Sequence, residues 1–247
     1  MSGVEIRFLG TGDAFGSGGR LHTSTLIRSD EGSLLVDCGP SALAALRKQG
    51  IEPEEVDAIA LTHLHGDHFA GVPFLLMDAH FASRRARPLV IAGPAGVEDR
   101  IGRGLDVLFP GTGVLPFRFP LTYVEWTERE PVRAGPAEVT PFEVRHSTVM
   151  TCYGLRVELS GRLLAFSGDT EWTDALVALA ADADLFVCEC FGFDHAPPHH
   201  LDFQTLRRHR PALTCRRLLL THMGDDMLRR ASSLDVEAAD DGLATII

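Results

Sequence analysis

The sequence predicts an α+β fold, an αβ/βα four-layer sandwich in which two mixed sheets lie face to face with helices outside. Two observations carry this reading. Short apolar runs alternate with helical patterns in both halves of the chain, as two sheets each flanked by helices would require. Several of those runs also end directly in a residue able to do chemistry. The run Val56 to Leu61 leads into Thr62-His63, and Leu163 to Phe166 leads into Ser167-Gly168-Asp169. A polar residue just past a strand stands at the rim of a sheet, where a rigid scaffold can aim it into a pocket.

The elements follow in order. Val4 to Leu9 reads as the first strand, ended by the turn Gly10-Thr11-Gly12. Thr23 to Ile27 and Leu34 to Asp37 read as two strands around Asp30-Glu31-Gly32. Ser41 to Lys48 has helical composition and stops at Gly50. After the strand Val56 to Leu61 come a helix over Phe74 to Arg84, a strand over Leu89 to Ala92 and a helix over Gly96 to Leu108. The second half repeats the rhythm, with strands at Val139 to His146, Cys152 to Leu159, Leu163 to Phe166, Leu185 to Cys190 and Leu218 to Leu220. Helices are expected there at Thr173 to Ala180 and Phe203 to Arg208. Phe109 to Pro131 carries several Pro and Gly and few clear periods, and is expected to form a loop or lid near the site. The acidic, small-residue tail after Ala231 is expected to have little order. No internal repeat and no interdomain linker is visible, so residues 1–247 read as a single domain.

Composition narrows the function classes. The hydrophobic fraction of 45% suits a globular chain with a sizeable core. No segment approaches the ~18 apolar residues of a membrane helix. The start, MSGVEIRFLGTG, lacks the basic and then apolar pattern of a signal peptide. A cytoplasmic location without membrane association is therefore expected, and a homodimer remains open. The net charge of −11 repels polyanions unless a local basic patch intervenes. The arginines at Arg84, Arg85 and Arg87, at Arg207, Arg208 and Arg210, and at Arg216, Arg217, Arg229 and Arg230 read as solvated faces rather than such a patch. The five cysteines are odd in number and not spaced as a disulfide framework. Cys188 and Cys190 share one face of a strand, and read as buried thiols rather than a thiolate metal pair.

The strongest chemical signal is Thr62-His63-Leu64-His65-Gly66-Asp67-His68, four ligand-type residues within six positions after an apolar strand. His63 and His65, two apart in extended backbone, can turn their rings to one side. Gly66 permits a sharp turn, after which Asp67 and His68 open a helical stretch and can face a second ion. Neutral imidazole and carboxylate suit zinc and related divalent ions.

This motif resembles that of the metallo-β-lactamase superfamily. Other matching pieces follow in order: Phe8-Leu9-Gly10-Thr11-Gly12, Val36-Asp37-Cys38-Gly39, His146, Ser167-Gly168-Asp169-Thr170, His200-Leu201-Asp202 and Thr221-His222. The combination is most similar to the branch that holds tRNase Z and small phosphodiesterases. The resemblance implies two divalent ions, zinc first and Mn2+ or Fe2+ as alternatives. His63, His65 and His146 would hold one ion, and Asp67, His68 and His222 the other. Asp169 would bridge them together with a water or hydroxide. It also implies that His200 lies beside the ions and hydrogen-bonds a phosphate or protonates a leaving group. Asp67 and His200 are thus the catalytic candidates. Glu189 is read either as orienting a ligand histidine or as bonded to nearby backbone. His22, His80, His195 and His209 are read as non-ligands.

Departures from the relatives narrow the substrate. Class B β-lactamases generally have Cys at the position of Asp169, and the di-iron oxygen-reducing relatives have Glu at that of His65. Bacterial tRNase Z carries a tRNA-gripping arm between the counterparts of His146 and Asp169, whereas here only 22 residues separate them. The expected function is therefore hydrolysis of a small phosphodiester, with tRNA disfavoured. Hydrolysis of an ester, thioester or lactone on the same site is the alternative. A metal-binding or regulatory protein without turnover is a third reading, opposed by the intact ligand set.

Overall fold

Alternation with period two builds the centre of the molecule. In the computed structural model, which describes residues 3–247, the strands send every second side chain into a layer between two sheets. The first sheet contains β1 (Glu5–Gly10), β2 (Ser24–Ser29), β3 (Gly32–Val36), β4 (Ala58–Ala60), β5 (Leu89–Gly93) and β6 (Leu121–Glu125) in that order. The second contains β7 (Val132–Ala134), β8 (Ala137–Val144), β9 (Cys152–Leu159), β10 (Arg162–Phe166), β11 (Leu185–Glu189), β12 (Leu218–Thr221) and β13 (Glu237–Ala238). A last strand, β14 (Ala244–Ile246), crosses back to pair with β1. Ile6, Phe8, Leu34 and Val36 of one sheet meet Val157, Leu164, Leu185 and Val187 of the other in the inner layer. Leu35 and Ile59 point out of the first sheet, and Phe186 and Cys188 out of the second.

Both sheets are mixed, and in the same way. β1, β2 and β3 are antiparallel, whereas β3 through β6 run parallel. β7 through β10 are antiparallel and β10 through β13 parallel. Parallel neighbours need crossover connections, and these supply the outer helices. On the first sheet they are α1 (Ala42–Lys48), α2 (Gly66–Phe69), α3 (Val72–Met77) and α4 (Val97–Leu108). On the second they are α5 (Ala175–Ala180), α6 (Phe203–His209) and α7 (Asp225–Ala231). The expected four-layer αβ/βα arrangement is what the chain adopts.

Three expectations need correction. The helix expected over Phe74 to Arg84 ends as α3 and continues through a π-helical turn over 78–82. The stretch from Phe109 to Pro131 is partly strand. β6 edges the first sheet, and Phe109, Phe117 and Phe119 pack on its outer helical layer. The tail after Ala231 is ordered, because β13 and β14 each find an open sheet edge. No helix among the described residues is long and apolar enough to cross a membrane.

Arg85, expected on a solvated face, is instead almost wholly buried, at 1% exposure. Its guanidinium donates to the carbonyls of Arg87, Pro88 and Glu54 at 2.8, 2.7 and 3.0 Å, tying the lead into β5 to the one into β4. Arg85→Ala would strand buried acceptors and leave a void, and is expected to cost ~2–5 kcal/mol in urea unfolding. Arg85→Lys, with one donor group instead of a fork, should fall between.

Candidate metal centre

The C-terminal ends of the parallel strands, with the ends of β1 and β8, meet at one edge of the sandwich. Asp37 follows β3 and the segment 62–68 follows β4. His146 lies two residues past β8, and Asp169, Glu189 and His222 close β10, β11 and β12. His65 caps α2, so Asp67 and His68 are carried on its first turn. Side chains from both halves of the sequence thus converge at one rim, as ligands do in open α/β sheets.

All eight expected site residues are brought together there. His63, His65 and His146 form one group whose ligand-type atoms lie within 4.8 Å of one another, and Asp67, His68, Asp169 and His222 form a second. Each group could hold a metal ion. In the first, His65 Nδ1 stands 3.1 Å from His63 Nε2 and 2.9 Å from His146 Nε2. In the second, His68 Nε2 is 3.3 Å from both Asp67 Oδ2 and Asp169 Oδ1. Asp169 Oδ2 lies 3.2 Å from His222 Nε2, 3.7 Å from His146 Nε2 and 4.0 Å from His63 Nε2, so one carboxylate faces both groups. Gly168 lets that carboxylate in: its φ is +59°, and a Cβ there would stand 2.6 Å from the Tyr153 carbonyl oxygen.

The outer ring nitrogens are held, which fixes where the inner lone pairs point. His146 Nδ1 lies 3.0 Å from the carbonyl of His199, an acceptor only, and so must donate. His68 Nδ1 lies 2.7 Å from Asp37 Oδ2. The Asp37 carboxylate also accepts from the Thr62 amide at 2.8 Å and the Thr62 hydroxyl at 2.9 Å. His63 Nδ1 meets the Thr62 hydroxyl and His222 Nδ1 the Thr23 hydroxyl, each at 3.1 Å.

The donors present fit a metal ion. In the neutral ring, His68 Nε2 is a bare lone pair; it is buried, has no hydrogen-bond partner, and faces two carboxylate oxygens. Acceptors aimed at acceptors call for positive charge between them, which a proton on Nε2 or a metal ion supplies. The electrostatics agree. Burial pushes His146 down to about 4 and holds His63 and His65 below the ordinary imidazole range, so these rings stay neutral as ligands should. Burial opposes charge on His68, but Asp169, Asp37 and Asp67 outweigh it and hold that ring well above the usual value. Positive charge is called for at Nε2, and a divalent ion there would meet the carboxylates of Asp67 and Asp169, while Asp37 holds the other ring nitrogen. The donor set is imidazole and carboxylate without thiolate, as zinc, manganese or iron accept.

His200 stands beside the centre, its ring 4.7 Å from that of His146 and stacked at 5.6 Å on that of His222. Glu189 holds it, with Oε1 3.1 Å from His200 Nδ1, and also accepts from the backbone amides of Thr170 and Leu201. Glu189 is bonded to nearby backbone, as one of its two readings had it, and the ring it holds is His200 rather than a ligand histidine. Burial raises the Glu189 carboxyl, and His200 is raised because its bond to Glu189 outweighs the burial opposing its charge. All five cysteines are buried and unpaired, Cys188 and Cys190 in the outer core of the second sheet and away from the ligand groups. His209 stacks on Trp172 at 4.1 Å. Sequence reasoning gave no role to Asp37, Thr62, Thr23 or Thr11. Asp37 shared the strand-then-polar signal that marked Asp169; the threonines carried none.

The sandwich and its rim of histidines define a protein of the metallo-β-lactamase fold, in the ribonuclease Z-like branch. The chain belongs to the family of anti-Pycsar protein Apyc1, whose family model matches residues 4–239. Ribonuclease Z of Lachnoclostridium phytofermentans is 33% identical over 162 residues, 65% of this chain and 51% of that protein, so the chain spans about half that relative's length. The short form of human tRNase Z superposes with a TM-score of 0.78 at 25% identity, covering 98% of each chain. The metallo-β-lactamase fold protein YhfI from Bacillus subtilis also reaches 0.78, at 23% identity over 99% of this chain and 100% of its own. That likeness is one of fold.

Asp37→Ala, which frees the His68 ring, is expected to weaken zinc binding by ~10–100-fold. If each group holds an ion, Asp169→Ala should weaken both sites, because its carboxylate faces both. Calorimetric titration of the metal-stripped variants reads both.

Proposed function

We propose that this chain is a dinuclear metal-dependent phosphodiesterase acting on a small phosphodiester. His63, His65 and His146 would hold one divalent ion, Asp67, His68 and His222 the other, and Asp169 would be shared, with zinc the first choice. The observation that carries the reading is the Asp169 carboxylate facing both histidine groups, beside a buried His68 Nε2 with no hydrogen-bond partner. Two ions held so lower the pKa of a water between them and offset charge on phosphoryl oxygens.

The chain's own side chains supply the rest. Asp37, Thr62 and Thr23 keep the ligand rings in one orientation. Glu189 keeps a proton on His200 Nδ1, so the other ring nitrogen of His200 is free to hydrogen-bond a phosphate oxygen or to give a proton to a departing alkoxide. Substrate size follows from what fills the interval between His146 and Asp169. It is the β9–β10 hairpin, with Leu159 paired to Arg162 around a tight turn, and no tRNA-gripping arm. With the charge of −11, this favours a small substrate, cyclic phosphodiesters included, over tRNA.

The test is a panel of bis-aryl phosphate, cyclic nucleotide, tRNA precursor, aryl ester and lactone on zinc-loaded protein. Turnover of the phosphodiesters supports the proposal, and turnover of the ester or lactone alone sinks it. His200→Ala should retain its metals and lose ~10²–10⁴-fold in rate with an alkoxide leaving group, and little with nitrophenolate. Equal losses for both would remove the proton-donor role.

A further inference from the structure

His222 is an exceptional ligand position. It sits at φ +55°, a left-handed conformation that costs a non-glycine residue ~1–2 kcal/mol and persists only where its surroundings enforce it. The enforcement comes from the opposite end of the chain. The His222 amide donates to the Thr11 carbonyl at 3.1 Å. Its ring Nδ1 meets the Thr23 hydroxyl, which itself donates to the Gly12 carbonyl at 3.0 Å. Two consecutive residues, Thr11 and Gly12, therefore fix both the backbone and the imidazole of His222.

Thr11 and Gly12 lie past the end of β1; Gly12 is bridged to the 21–22 segment, its amide donating to the Leu21 carbonyl at 2.7 Å, and Thr11 needs an anchor of its own. Asp241 provides it. One carboxylate oxygen accepts from the Thr11 amide at 2.9 Å and the Thr11 hydroxyl at 2.8 Å. The other accepts from the Leu21 amide at 2.7 Å, across the loop. Arg20 closes the arrangement, donating to the Thr11 hydroxyl at 2.8 Å and to the Ala239 carbonyl. Asp241 is itself set by the tail: the Gly242 amide donates to the Phe8 carbonyl at 2.8 Å, and β14 pairs onto β1.

We infer that Asp241 is a positioning residue for the metal centre, holding His222 through Thr11 and Gly12 although it touches neither the site nor a substrate. The inference rests on the dinuclear reading above for its metal consequence, and on geometry alone for its effect on His222. It predicts a split. The ion bound by Asp67, His68 and His222 should depend on Asp241, and the ion bound by His63, His65 and His146 should not.

The test is sequential zinc titration of wild type, Asp241→Ala and Asp241→Asn, with amide hydrogen exchange on the same proteins before metal is added. Asp241→Ala should weaken one of two binding events by ~10–100-fold and leave the other unchanged. Asp241→Asn, which keeps one acceptor oxygen, should show a smaller loss in the same event. The amides of Thr11, Leu21 and His222 should exchange faster in both variants. Val139→Ala, a cut in the inner core remote from the loop, controls for general loosening: it should lower the melting temperature without splitting the two affinities. Two affinities unchanged in Asp241→Ala, or both weakened alike, would overturn the inference, as would unaltered exchange at His222. A single binding event in the wild type would instead overturn the dinuclear reading, and His222 exchange would still decide whether Asp241 holds that residue.

Discussion

The buried carboxylate of Asp169 has to face imidazoles from both halves of the chain at once, and the surrounding architecture serves that requirement. An ionised carboxylate removed from water is costly unless opposite charge and hydrogen-bond donors compensate it. Burial alone would raise this carboxyl, yet His222 and His68 hold it well below the ordinary range. It can occupy that place because Gly168 turns the chain where a side chain would strike the Tyr153 carbonyl. Those two histidines come from β12 and from the turn after β4, elements of different sheets. The two sheets must therefore pack in a single register for the charges to balance.

Much of this was legible in the sequence, because strand periodicity and metal-ligand chemistry are both local signals. The segment from His63 to His68 showed its strand, its turn and its ligands within a few residues. The structure places these with His146, Asp169, His200 and His222 at one rim. What remained hidden lies in long-range pairing. β13 and β14 are two and three residues long and largely exposed, so their order comes from the neighbouring sheet edges rather than from their own composition. Thr11 and Thr23 look like any turn threonine, and their hydrogen bonds reach residues about two hundred positions away. The aromatic residues between Phe109 and Phe119 gave no period because they fill a helical layer from a loop.

The two halves share one plan, three antiparallel strand pairings followed by three parallel ones, but they do not contribute equally to the rim. The first half provides the dense cluster after β4 and the buried Asp37 that orders it. The second provides single residues at the ends of β8, β10 and β12, and the Glu189–His200 pair. Ligand-type groups thus arrive from both halves, and the Glu189–His200 pair from the second alone. The β11–α6 connection carries His200 and, through the His199 carbonyl, also holds the His146 ring, so a change there reaches both.

The return of β14 to β1 has a consequence for how the molecule is made. In the first sheet β14 takes the edge that β7 takes in the second, yet β7 is synthesised beside its partner β8 and β14 far from its partner β1. On the ribosome, β1 must wait with one edge unpaired while some 230 residues are added, at a translation speed of ~5–20 residues per second. An exposed strand edge is a template for wrong partners. Until that distant segment has been made the first sheet cannot close, and β1 keeps an open edge through the whole interval.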